Sequence, residues 1–171
     1  IILVITKEDG LKPNRTIYNT LGLIVNVFRS FPFIILIVAI SSFTRLVVGT
    51  SIGNTAALVP ITVGTAPFMA RLIESSLNEV DKGLIEAAKS FGATNVQIIF
   101  KVMVKESVPS IVLGVTLTII SVLGYTAIAG AVGAGGLGNV AIVYGYQQFD
   151  KNVMLFTVIA LVILVQIIQN L

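Results

Sequence analysis

Four long apolar runs decide what this chain can fold into. They cover residues 31–48, 55–73, 108–129 and 152–168, with lengths of 18, 19, 22 and 17 residues. A helix rises about 1.5 Å per residue, so each run crosses or nearly crosses a hydrocarbon core of about 30 Å. Backbone polar groups in lipid find partners only within the protein, so the runs predict helices. An outer-membrane barrel would show alternation over segments of about ten residues, and these runs are continuous. The expected fold is all-α and polytopic. Composition agrees: 56% of the residues are hydrophobic and 11% are charged, against about 25% charged in a soluble domain. The length of 171 residues suits one membrane domain and leaves no room for a nucleotide-binding domain beside it.

Residues 1–5 look like the end of a further apolar run, and the last run reaches Leu171. The expectation is a somewhat longer protein with five spans, the first mostly missing here. Between Lys7 and Arg15 lies a polar loop with Pro13 and Asn14. Ile17, Leu21, Ile24 and Phe28 then share one helical face. Asn19, Asn26 and Arg29 interrupt it, which predicts an interfacial helix over 16–30. The run 55–73 carries Pro60, Gly64 and Pro67. These fit either packing irregularity or a bend lining a pathway.

Alternation of the spans sorts the basic residues. One side holds Lys7, Lys12, Arg15, Arg29, Arg71, Lys82, Lys89, Lys101 and Lys105, and the other holds Arg45 and Lys151. The positive-inside rule puts the first group in the cytoplasm. The N-terminus is then expected outside and the C-terminus inside. The loop 74–107 is cytoplasmic, and the Gly-rich stretch 130–151 is external. The net charge of +3 is thus a topology signal, not the mark of a nucleic-acid partner.

The loop 79–92 reads as a short amphipathic helix. Val80, Leu84, Ala88 and Phe91 recur at steps of four, four and three, which places them on one face. Lys82, Glu86 and Lys89 are spaced for ion pairs along the helix. Gly92 is suited to a positive φ that ends it. Such a helix fits a groove on another protein.

Glu86-Ala87-Ala88, followed by Gly92 after three further residues, resembles the EAA loop of ABC importer permeases. Its place after a span on the basic side supports the likeness. Val102, Val104 and Lys105 depart from the isoleucine, leucine and proline usual at the end of that loop, and Pro109 stands as a substitute breaker. Arg29-Ser30-Phe31-Pro32 is similar to the Arg-x-x-Pro opening of a core span. Phe43–Leu46, Val48–Gly53, Glu79–Gly83, Gly133–Gly138 and Tyr144–Phe149 look like the methionine-importer branch. The resemblance covers almost the whole chain. It implies a type I importer permease domain over residues 1–171, with 79–92 as a cytoplasmic coupling helix that docks on an ATP-binding subunit. It also implies two copies of this chain, two such ATPase subunits and an extracytoplasmic binding lipoprotein in a bacterial inner membrane. ATP and Mg belong to the ATPase partner, and this chain binds no cofactor of its own. Osmoprotectant or phosphonate transport is the alternative.

The remaining signals weigh against other classes. There is no Cys and no His, so disulfides, Cys or His metal ligands and catalytic schemes that need either are excluded. No nucleophile–base pair is visible, and no catalytic or metal-binding residue is expected. The spans as drawn contain no Asp, Glu or His, which argues against an ion-coupled carrier. A channel has no need of a docking helix. Gly133, Gly135, Gly136 and Gly138 lack the strand–helix context of a nucleotide-binding loop. They are read as a close-packed turn or as a contact for the delivering protein. Arg45 is read as snorkelling to the outer interface, or as a gate or partner contact.

Overall fold

The computed structural model describes residues 1–170, apart from the side chains of Ala131 and Val132; Leu171 lies outside the described residues. The described residues are mostly helical and contain no strand. The helices are α1 (Ile2–Thr6), α2 (Arg15–Ser30), α3 (Phe33–Ala39), α4 (Ser41–Val48), α5 (Asn54–Asn78), α6 (Lys82–Ser90), α7 (Asn95–Gln97), α8 (Val104–Glu106), α9 (Val108–Ala129), α10 (Gly136–Asn139) and α11 (Lys151–Gln169). Wider π-turns occupy Ile98–Met103, Gly130–Ala134 and Val140–Gln147. Among the described residues, α5, α9 and α11 are long and apolar enough to cross a membrane.

The span drawn over 31–48 is corrected. It is two helices, of seven and eight residues, separated at Ile40, where φ is −98° and ψ 12°. Neither piece exceeds about 12 Å in length. Ile34, Ile35, Ile37, Val38 and Ile40 are β-branched and crowd a helical turn. Ser41 and Ser42 follow at once, and serines compete with the main chain for hydrogen bonds. Apolarity alone does not register this break. Helix α4 then stops at Gly49, whose φ is 81°.

The span drawn over 55–73 is longer than expected and runs on to Asn78. It therefore takes in Glu74, so the expectation of spans free of acid does not hold for the helix as built. Glu74 is buried and paired, within one helix, with Arg71. The run 108–129 coincides with α9, and 152–168 lies within α11. Pro109 sits in the first turn of α9, where its missing N–H costs nothing. It is not a breaker; the chain turns at Ser107 instead, whose single hydroxyl hydrogen is shared between the carbonyls of Met103 and Ser76.

Packing divides the chain into two compact units, one of residues 1–27 and 67–115, the other of residues 28–66 and from 116 onward. The first has a core of Val4, Leu77, Ile98, Ile99 and Met103, with Ile85 and Ala88 against it. The second has Phe33, Leu36 and Ala129, with Phe33 stacked on Tyr125 at a centroid distance of 4.3 Å. Gly64 makes room for Phe33 and Leu36, which would stand 3.3 Å from any Cβ there. Few apolar side chains of the three long helices are buried, and many are exposed, such as Leu155, Phe156 and Val162. Water would not tolerate so much exposed apolar surface on a stable fold; lipid or further subunits must cover it.

In α2 the expected apolar face is largely outward, with Ile17, Ile24 and Phe28 exposed. The packed face is instead the one that carries Gly22.

Candidate functional site

Helix α6 is shorter than the loop reading, which ran from Glu79 to Gly92. Asp81 is its N-cap, and its Oδ1 accepts from the Gly83 N–H at 2.6 Å. A Cβ on Gly83 would stand 2.9 Å from that oxygen, so glycine lets the cap close. At the far end the Gly92 N–H reaches the carbonyl of Lys89, and the Ala93 N–H that of Ala88. This is a Schellman ending, with Gly92 at φ 78° as its spacing predicts. Thr94 at once caps α7, with Gln97 bonding back to it. The turn therefore stops one helix and starts another with four residues between them.

The four residues expected on one face do not share it. Val80 lies before the helix and is buried, and Ala88 faces inward with Ile85. Leu84 is 46% exposed and Phe91 90% exposed. A step of three or four residues is compatible with either side of a nine-residue helix; the core of the first unit selects Ile85 and Ala88. The outward surface is thus Leu84, Ala87 and Phe91, with Glu86 also exposed. Val96 and Phe100 are exposed beyond the turn. Sequence reading missed them because they lie outside the motif.

Electrostatics hold this helix from its base. Lys82 does not pair along the helix with Glu86 as expected. Its ammonium lies 2.6 Å from Asp9, in the loop after α1, with Lys7 3.4 Å from the same carboxylate. The bond from Lys82 holds the Asp9 carboxyl at about 2, and the same contact raises the pKa of Lys82. Glu79 accepts from the Ser110 hydroxyl at 2.7 Å, tying the entry of α6 to the start of α9.

Deeper in the first unit, Arg71 bonds Glu74 at 2.5 Å, Asn26 Oδ1 at 2.9 Å and the Gly22 carbonyl at 3.3 Å. The Glu74 side chain is 7% exposed and that of Arg71 22%. The i,i+3 spacing of Arg71 and Glu74 was a readable signal of this pair.

In the second unit the glycines each have a local reason. Gly133, Gly135 and Gly136 hold φ of 92°, 71° and 76°. A Cβ on Gly138 would overlap the backbone of Ala127. Beside them is a cavity of about 330 Å³ whose lining includes Asn54, Leu58, Leu123, Ala127 and Leu161. Arg45 is exposed in the last turn of α4, a favourable place for a cation. Among the described residues, no carboxylate lies within ion-pairing reach of it.

Comparison with known proteins follows the same outline. The family described as binding-protein-dependent transport system inner membrane component matches residues 3–171. The probable D-methionine transport system permease protein MetI of Vibrio cholerae is 53% identical over 170 residues, which is 99% of this chain and 76% of that protein. The methionine import system permease protein MetP of Bacillus subtilis is 48% identical over 168 residues, 98% of this chain and 76% of that one. A chain of the MetNI methionine ABC transporter, solved in inward-facing conformations, is 49% identical with a TM-score of 0.96, covering 98% of this chain and 78% of that one.

Proposed function

This chain belongs to the family of binding-protein-dependent transport system inner membrane components, and from that membership we propose that it is the permease subunit of an ATP-driven importer of methionine or a related amino acid. The substrate assignment is carried by the transport activity shared in the names of its relatives. The chain sits in a bacterial inner membrane and contributes the path, while ATP and Mg are bound and turned over by a separate ATPase subunit. Two copies of the chain and two ATPase subunits assemble, and an extracytoplasmic lipoprotein delivers the amino acid.

Residues 79–92 are the coupling segment in this reading. Support comes from Leu84, Ala87 and Phe91, an apolar surface on a helix whose other side is committed to the core. The motion of a docked ATPase reaches the membrane helices through Val80, Ile85 and Ala88, which pack inward, and through the stop at Gly92. Glu86 stands on the exposed side for contact with the partner. Eight of the eleven basic residues lie in the first unit. Their excess supports a cytoplasmic placement of that unit's loops, residues 79–92 included. Arg45, Gly133, Gly135, Gly136 and Gly138 then lie toward the outer side, where gate or binding-protein contacts are made.

Uptake by reconstituted vesicles, with binding protein and ATP present, tests the substrate. Excess unlabelled methionine should abolish uptake of the labelled amino acid. Competition by glycine betaine or a phosphonate, and none by methionine, overturns the assignment. Co-purification tests the docking: Leu84→Asp and Phe91→Asp should release the ATPase from a folded permease. Ala88→Asp should instead unfold the first unit, because its side chain points into the core. Retention of the ATPase by both exposed-face variants would refute the placement of the docking surface.

A further inference from the structure

We propose that a single water molecule is a fixed part of the second unit, bound between α4 and α5 at Pro60. The site starts from an exception. Seven hydroxyls in these helices donate to the carbonyl four residues before them: Thr6, Thr62, Ser76, Ser90, Ser107, Ser121 and Thr157. That is the ordinary way a hydroxyl is satisfied in a membrane helix. Thr44 does not do so. It is 3% exposed, and its Oγ1 is buried with no hydrogen-bond partner. The carbonyl of Ile40, its natural acceptor, receives the Thr44 N–H alone at 2.8 Å.

A second group beside it is left open by covalent chemistry. Pro60 has no N–H, so the carbonyl of Ala56, four residues earlier, lacks its helical donor. Thr44, Ala56 and Pro60 line one small cavity, with Ser41 and Ser51 on its wall. Its volume is about 20 Å³. A water needs about 10–15 Å³ by this measure and two to four polar partners. The site has both. An empty apolar void stays dry, but this one adjoins an unpaired hydroxyl and a residue whose carbonyl lacks its usual helical donor, and buried polar groups of that kind are rarely left unmatched. Thr65, whose hydroxyl is also unpaired, is not among the residues that line the cavity, so the inference does not extend to it.

The water accepts from or donates to Thr44 Oγ1 and donates to the Ala56 carbonyl, with Ser41 or Ser51 as a third partner. It takes the place of the backbone bond that Pro60 forbids and ties α4 to α5. This also accounts for Thr44 within the Phe43–Leu46 motif, which the docking surface leaves unexplained.

The sign of one substitution discriminates. If the hydroxyl were merely unpaired, Thr44→Val would be neutral or stabilising, because it removes an unmatched polar group without changing shape. With a bound water it removes a partner. The full-length protein, purified in its native assembly, should then lose about 2–4 °C in Tm, while Thr44→Ser keeps most of the stability. A structure fine enough to place buried waters should show density within hydrogen-bonding distance of both Thr44 Oγ1 and the Ala56 carbonyl. Absence of that density, where other buried waters are seen, overturns the proposal. An unchanged or raised Tm in Thr44→Val overturns it as well.

Discussion

The two units of this chain are held together by opposite means. Residues 1–27 and 67–115 hold all but four of the charged side chains; the exceptions, Arg29, Arg45, Asp150 and Lys151, fall in the other unit. The first unit is built from side chains that reach something: Arg71 to Glu74 and Asn26, Lys82 to Asp9, Ser110 to Glu79. The second is built from side chains that are missing. Gly64, Gly138 and Gly145 let Phe33, Ala127 and Met154 come close, and Phe33 stacks on Tyr125. The contrast is one of solvent. Where water competes, a helix end needs caps and charges. Where lipid surrounds apolar side chains, burial has little driving force, and close van der Waals approach takes over.

The sharpest way to break this comparison is at Arg71. Arg71→Leu leaves Glu74 buried without its partner, and removal of one member of a buried pair costs about 3–5 kcal/mol. Partial exposure of the arginine puts the expectation near the lower figure. Arg71→Leu with Glu74→Met should recover most of the loss, measured as thermal inactivation of the purified protein. Equal loss in the single and double variants would mean that the pair is not what holds this part of the first unit.

Next come two glycines that fail for different reasons. Gly138 has backbone of Ala127 where its Cβ would be, so Gly138→Ala should cost about 1–3 kcal/mol by overpacking, and Gly138→Asn more. Gly92 has nothing within 4 Å of a Cβ but sits at φ 78°. Gly92→Ala should cost about 1–2 kcal/mol from conformation alone, and Gly92→Asn should recover part of it. Gly92→Val should also uncouple ATP hydrolysis from uptake. The same rank order of Ala and Asn at both sites would erase the distinction between crowding and torsion.

The smallest effect belongs to the solvent-exposed clamp of Asp9 and Lys82. The folded Asp9 carboxyl is depressed to about 2. Its contribution is present above the ordinary carboxylate pKa, near 4, and is lost as pH falls through about 2. Lys82 is raised, so its contribution is full below its ordinary value and is lost as pH rises through the folded one. The clamp therefore holds across the whole middle range. Hydrogen exchange at the start of α6 should be unchanged between pH 5 and 8 and should quicken slightly in Asp9→Asn. A pH-dependent exchange rate within that range, beyond the intrinsic one, would assign the restraint to another group.

The sequence by itself determined the solvent, the three long helices and the stop at Gly92. Those follow from run length, from apolarity, and from one residue's freedom at positive φ, all of which are local. It also marked residues 79–92 as the surface proposed for a partner. Only the tertiary structure decided which side of α6 stays exposed. Ile98 and Met103 claim Ile85 and Ala88, which leaves Leu84 and Phe91 outside, and a helical period does not say which face meets a core. The break at Ile40, the capture of Lys82 by a residue 73 positions away and the unpaired Thr44 beside Pro60 were hidden for the same reason. Each depends on what another segment places next to a residue, and spacing along the chain carries no information about that.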